Sequence, residues 1–177
     1  MLFIWVRTDY KSVKATSTTL IVDDDNKAGP WDGTAEHPYQ NITSGLEHTS
    51  AGDTIFVRMG TYSENVVINK SIALVGEDRD FTIIDGYRRV DVISIRASNV
   101  SVKNFTIKRS GVDYSGIFLD HSMGNVISNN KIIDNFEGIS VYYSSSNIIS
   151  GNNISANYEG IYLYSCSNNA FSDNIVS

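Results

Sequence analysis

GIFLDHSMGNVISNNKIIDNFE, residues 116–137, is followed by GISVYYSSSNIISGNNISANYE, residues 138–159, and then by GIYLYSCSNNAFSDNIVS, residues 160–177. Gly116, Gly138 and Gly160 recur at a constant spacing, and Asn125, Asn147 and Asn169 recur at the same one. The first two segments agree at 10 of 22 positions, including the opening Gly-Ile, the central Asn-x-Ile-Ser and the closing Asn-x-Glu. The third opens in the same way and is expected to lose one residue before Ile175. Self-similarity at a short fixed period marks a stacked repeat. Within each copy the period is two: Ile117 and Leu119 alternate with Phe118 and Asp120, Ile139 and Val141 with Ser140 and Tyr142, Ile161 and Leu163 with Tyr162 and Tyr164. Such alternation predicts strands. Two further short apolar pieces follow in each of the first two copies, Val126-Ile127 and Ile132-Ile133, then Ile148-Ile149 and Ile154, separated by Ser, Asn and Gly.

Three short strands per repeat, with polar corners, predict an all-β chain, a right-handed parallel β-helix. Its coils would stack at the inter-strand spacing of roughly 4.8 Å, so that equivalent residues form ladders. A leucine-rich repeat shares the period, but it needs leucines that the return segments here lack. Upstream, the same texture continues less regularly through Thr54–Val57, Val66–Ile68, Ile72–Val75, Thr82–Ile84, Val92–Ile95, Val100–Val102 and Phe105–Ile107. Residues Gln40–Thr49, closed by Ala51-Gly52, are the best helix candidate and would lid the first coil. The expected organisation is a poorly structured segment 1–17, a strand, loop and capping helix over 18–52, and coils over 53–177. Ser177 falls inside a repeat, so a fragment is expected.

The composition narrows the function. Across 177 residues, 14 Lys and Arg stand against 20 Asp and Glu, a net charge of −6. That argues against a nucleic-acid partner, which needs a basic face. Hydrophobic residues make up 41%, enough for a core, and no apolar run is long enough to span a membrane. Leu2–Val6 is too short for the apolar stretch of a signal peptide. A single cysteine, Cys166, excludes an internal disulfide and a Cys-based zinc site.

The run GDTIFVRMGTYSENVVINKSIALVGEDRDFTIIDG, residues 52–86, with LIVDDDNKAGPWDGTAEHPYQNI before it, closely resembles the N-terminal part of NosD-like, or CASH-type, right-handed β-helix proteins with a pectin-lyase-like fold. The resemblance covers roughly residues 18–177. It implies an extracellular or cell-surface location, with the periplasm as the alternative. It does not imply one activity, because fold does not fix function. Relatives include polysaccharide lyases and hydrolases, non-catalytic surface modules, and NosD itself, which is linked to copper supply.

Several residue groups are candidates for chemistry. Asp23, Asp25 and Asp32 are oxygen-rich and could hold calcium, without the spacing of an EF-hand, and they serve equally as turn residues. His121 and Met123 are soft enough for copper(I), but a solitary surface corner fits them as well. Glu77-Asp78-Arg79-Asp80, Asp85, Arg88 and Arg89 contain the raw materials of a lyase or hydrolase, and also those of ion pairs and turns. The ladder Asn125, Asn147 and Asn169 is assigned to the fold, as stacked amides at a corner. Five Asn-x-Ser/Thr triplets, at Asn41, Asn69, Asn99, Asn104 and Asn153, would suit a glycosylated surface protein.

The outward side of the first strand of each repeat is the most suggestive. Phe118, Tyr142, Tyr162 and Tyr164 should point to solvent, with Tyr143 at the next corner. Ser140, in the same outward phase, should tolerate a charge that Ile139 or Ile161 would not. Aromatics on a rigid sheet can stack on sugar rings, although cross-strand stacking explains them too. The expected function is therefore a non-catalytic surface module with a polysaccharide or cell-surface glycan as partner. The alternatives are a lyase or hydrolase and a copper-handling role. The last coil would leave a strand edge open, through which chains could associate end to end.

Overall fold

The computed structural model describes residues 17–177. The Leu2–Val6 run and nearly all of the expected unstructured segment lie outside the described residues. The described residues open with β1 (Thr19–Val22) and α1 (Ile42–Glu47), then wind through strands that return to three faces in the same order. The first coil holds β2 (Thr54–Val57), β3 (Gly60–Tyr62) and β4 (Val66–Ile68), and the second β5 (Ala73–Gly76), β6 (Thr82–Asp85) and β7 (Ile93–Ile95). The third holds β8 (Ser101–Lys103), β9 (Thr106–Lys108) and β10 (Ser115–Asp120). The fourth holds β11 (Val126–Ser128), β12 (Lys131–Ile133) and β13 (Glu137–Tyr142), and the fifth β14 (Ile148–Ser150), β15 (Asn153–Ser155) and β16 (Glu159–Tyr164). A part-coil, β17 (Ala170–Ser172) and β18 (Ile175–Val176), ends the chain. The first face runs β1-β2-β5-β8-β11-β14-β17, the second β3-β6-β9-β12-β15-β18, and the third β4-β7-β10-β13-β16. Every pairing is parallel, so the molecule is the expected parallel β-helix, with the right-handed crossover such connections take.

The winding puts one side of each strand inside. Ile55, Leu74, Val102, Ile127 and Ile149 form the inner column of the first face, and Ile84, Ile107, Ile132 and Ile154 that of the second. The third face contributes two columns, Val66, Ile93, Ile117 and Ile139 beside Ile68, Ile95, Leu119 and Val141. All of these side chains are fully buried. Each gains about 1.5–3 kcal/mol from leaving water, and a β-branched side chain suits a strand position packed above and below.

Cross-coil pairing shows how the coils differ in length. Thr54 pairs with Ala73, Ala73 with Ser101, Ser101 with Val126, Val126 with Ile148 and Ile148 with Ala170. The step is uneven as far as Val126 and constant beyond it. The regular period of the sequence thus belongs to the C-terminal part, and the coils upstream differ from it in the loops between their strands. The expected one-residue loss before Ile175 does not occur. Asn153 pairs with Ile175 and Ile154 with Val176, so the third repeat keeps full register and Val176 takes the inward place of Ile154.

Asparagine closes all three corners. Between the third and first faces, Asn147 Oδ1 accepts the Asn125 N–H and Asn169 Oδ1 that of Asn147, each at 2.9 Å. A second ladder, Asn130, Asn152 and Asn174, and a third, Asn135 and Asn157, repeat the pattern at the other corners. The carboxamide nitrogens donate to main-chain oxygens of the preceding coil, as Asn152 Nδ2 does to Ile127 at 2.9 Å and Asn157 Nδ2 to Ile132 at 2.9 Å. Main-chain groups that a sharp corner would leave buried and unpaired are satisfied in this way.

The lid is shorter than Gln40–Thr49. Asn41 is its N-cap, its oxygen accepting the Ser44 N–H at 2.8 Å. Glu64, from the first coil, accepts the Ile42 and Thr43 N–H groups at 2.7 and 2.9 Å, and Lys70 Nζ reaches the Leu46 and Thr49 carbonyls at the other end. Thr43, Ser44 and Gly45 are weak helix formers, so these tertiary contacts hold the single turn and a half. Ile42 and Gly45 face the core, Gly45 against Val22 and Ile55.

Candidate functional site

The third face has the longest strands, β10, β13 and β16. Close approach explains the glycine near the start of each. A Cβ on Gly116 would lie 2.8 Å from the Gly138 carbonyl oxygen, and one on Gly138 2.4 Å from that of Gly160. Beyond the glycine the alternation resumes, and the outward side chains fall into columns. One column runs Val67, Ser94, Phe118, Ser140, Tyr162, and the next Asp120, Tyr142, Tyr164.

The four aromatic residues singled out from sequence come together. Phe118 meets Tyr142 edge-on at 5.3 Å between ring centroids, Tyr142 stacks on Tyr162 at 5.6 Å, and Tyr142 and Tyr164 are 5.4 Å apart. Tyr143, at the corner, meets Tyr164 edge-on at 5.5 Å and stacks on His121 at 4.8 Å. The cluster spans three coils, about 10 Å along the axis at the usual strand spacing. Its rings use part of their surface on one another. Phe118, Tyr142 and Tyr162 are half-buried, whereas Tyr143 and Tyr164 are exposed. Burial first, and then the nearby Glu137 charge, raise the Tyr142 phenol above its ordinary value.

Ser140 needs a correction. It points away from the core, as its phase requires, yet it is fully buried, because Phe118 and Tyr162 flank it on the neighbouring strands. Its hydroxyl donates to Glu137, and the Ser115 hydroxyl lies 2.9 Å from the same carboxylate oxygen and 2.8 Å from Ser140 Oγ. Sequence reasoning missed this network. Alternation gives the direction of a side chain but not what covers it. Ser115, Glu137 and Glu159 are in register, and Asp91 joins them by accepting the Ser115 N–H at 2.8 Å. Burial raises the Asp91 carboxyl above the ordinary carboxylate range; hydrogen bonds from Ser115 and Ser94 oppose that rise and the Glu137 charge adds to it.

The other candidates are placed elsewhere. Asp23, Asp24 and Asp25 bring carboxylate oxygens within 4.8 Å of one another, but Asp32 stays apart, bonded to Thr34 and facing His37 at 3.5 Å. Asp23 is tied to Arg58 at 2.8 Å, and Asp24 accepts the Thr61 N–H. Asp85 is buried and bound by Arg109, Asp80 pairs with Lys131 at 3.4 Å, and Arg88 with Asp134 at 2.8 Å, so these charges of the suspected catalytic group are held in ion pairs. His121 Nδ1 is hydrogen-bonded to Asp120, and Met123 is exposed and bridged to Ser145.

The fold has solved counterparts. The chain is similar to the pectin methylesterase PemA of Erwinia chrysanthemi, with a TM-score of 0.57, 11% identity, and coverage of 80% of this chain and 56% of that one. It is also similar to the carrot pectin methylesterase, with a TM-score of 0.53, 13% identity and coverage of 77% and 52%. At such identities the likeness concerns the fold alone. A cell surface glycoprotein of Methanothermus fervidus is 33% identical over 89 residues, 50% of this chain and 14% of that protein. The chain therefore spans about half the length of its solved counterparts and a small part of this relative. The NosD family, described as periplasmic copper-binding protein, matches residues 40–177.

Copper prefers imidazole and sulfur ligands. Among the described residues, the one group of three His, Cys, Asp or Glu side chains that converges is Asp23–Asp25, a hard oxygen set, and His121 is turned to Asp120. Cys166 packs against the core, and His48 stacks on Tyr39 with Nδ1 at the Ser44 carbonyl. These donors do not fit a copper centre. With most of its coils matched, the chain belongs to the NosD family.

Proposed function

We propose that the chain is a β-helix module of a surface or periplasmic protein, and that the aromatic cluster of its third face binds glycan. The carrying observation is the connected set of Phe118, Tyr142, Tyr162 and Tyr164 rings on the outer side of three rigid coils. The name of the Methanothermus fervidus relative supports the location, as does the family description. Tyrosines offer an apolar face to a sugar ring and a hydroxyl to its edge. The patch length of about 10 Å suits two or three sugar residues, and each stacked ring should contribute on the order of 1 kcal/mol, so affinity is weak. A glycan array probed with the wild type and with Tyr142→Ala/Tyr162→Ala/Tyr164→Ala tests this. Binding lost in the triple variant is expected; binding to no glycan, or unchanged binding, overturns it.

Asp91 favours a second reading, a glycoside hydrolase. A carboxyl raised by burial and a carboxylate, Glu137, lie on one face on either side of Ser115, Asp91 accepting its N–H at 2.8 Å and Glu137 its hydroxyl at 2.9 Å. Carboxyls bridged by one serine lie within the roughly 9.5 Å that an inverting pair allows. Release of reducing ends that Asp91→Asn abolishes would establish it.

A further inference from the structure

We infer that the third face prefers glycans bearing free ammonium groups, the 2-amino sugars, over their neutral counterparts and excludes uronate glycans. The inference rests on the aromatic-cluster reading above and adds the class of sugar. Its basis is the charge around the rings. Glu137 and Glu159 sit opposite each other on β13 and β16, a like-charge pair that costs stability in a sheet. Asp91 and Asp120 add two more carboxylates to the same face, Asp120 directly beside Tyr142 in register. Glu137 reaches the Ser140 hydroxyl, which places its carboxylate in the column between Phe118 and Tyr162. The Glu159 side chain is exposed, and its carboxylate has no hydrogen bond or ion pair among the described residues.

The chain supplies little to neutralise them. From Gly111 to Ser177 there are six acids and one base, Lys131, and Lys131 is committed to Asp80 on another face. His121 is engaged by Asp120. Arg96, exposed just past the end of β7, is a basic group whose charge acts on Asp91.

A metal ion is a poor answer to this field. The carboxylates are spread over successive coils, and no three of them converge within 4.8 Å as the Asp23–Asp25 group does. Charge distributed at strand spacing suits an extended ligand with distributed cations. An amino-sugar oligomer meets both demands, with ring faces on the tyrosines and ammonium groups toward Glu137 and Glu159. A polyuronate would bring carboxylates against carboxylates, and like-charge contact is a strong bar to a wrong partner.

Titration calorimetry with three hexamers, of glucosamine, N-acetylglucosamine and galacturonic acid, tests this in mildly acidic buffer that keeps the amine charged. The glucosamine hexamer should bind about tenfold more tightly than its acetylated form, the size of one charge-assisted hydrogen bond, and high salt should shrink the gap. Galacturonate should not bind. Glu137→Gln/Glu159→Gln should bring the ratio of the first two near one, and the carboxamide that replaces the Glu137 carboxylate keeps an oxygen for the serine hydroxyls. Equal affinities in the wild type, or a ratio the double variant does not alter, overturn the charge inference and leave the aromatic reading standing. Binding of none of the three overturns both.

Discussion

Asn152 takes the Asn130 N–H on its carboxamide oxygen and gives its own Nδ2 to the Ile127 carbonyl, inside a corner that water does not reach. Asn152→Ala would orphan both main-chain groups. At about 1–3 kcal/mol for each buried group, the loss should be roughly 2–6 kcal/mol, measured as a lower denaturation midpoint. A shift below about 0.5 kcal/mol would show that the ladder is decoration. Asp85 makes a second residue-level test. Burial would raise its carboxyl, but the Arg109 hydrogen bond, the Tyr87 N–H and the Arg109 and Lys108 charges outweigh that and hold it below the ordinary range. A carboxyl depressed in the fold stabilises above its unfolded value, near 3.9, and loses that contribution as pH falls through the folded value. Asp85→Asn should therefore lower the melting temperature at neutral pH, with the difference closing in acid. Asp91, raised rather than lowered, has the opposite sign, and Asp91→Asn should lose least, or gain, at neutral pH. Parallel pH profiles for the two variants would contradict the assignment.

At the scale of the strand, β13 shows what alternation conveys and what it omits. The in–out phase of Ile139, Ser140, Val141 and Tyr142 was legible from the period of two, and the structure keeps it. That Ser140 would be covered was not, because the cover comes from Phe118 and Tyr162 on other coils. The expectation that a charge at Ser140 is mild changes accordingly. Ile139→Asp and Ser140→Asp should both destabilise by several kcal/mol, the first by charging the core and the second by setting a buried carboxylate against Glu137. Val67→Asp, in the same outward column but exposed, should cost little in thermal melts. Damage at Val67 equal to that at Ser140 would mean that cover is not the deciding factor. The strand β3 escaped notice because Gly60, Thr61 and Tyr62 have no apolar alternation. The second and third asparagine ladders were visible in principle, since Asn130, Asn152 and Asn174 share the spacing of the first.

For the whole molecule, the repeat in residues 116–177 carried the architecture, and the upstream coils obscured it, because their loops vary in length while their strands keep register. The two ends differ. One is closed by α1, whereas at the other Ile161, Leu163, Phe171 and Val176 line an open apolar hollow beside the free edges of β16, β17 and β18. The binding proposal has a direct measurement, the tyrosine ring resonances followed by NMR as a glucosamine or N-acetylglucosamine oligomer is added. Shifts confined to Tyr142, Tyr143, Tyr162 and Tyr164, with the sugar protons moved by ring currents, are the predicted result. Unmoved rings on the third face, or shifts gathered around Trp31 and Tyr39 at the lid, would contradict it.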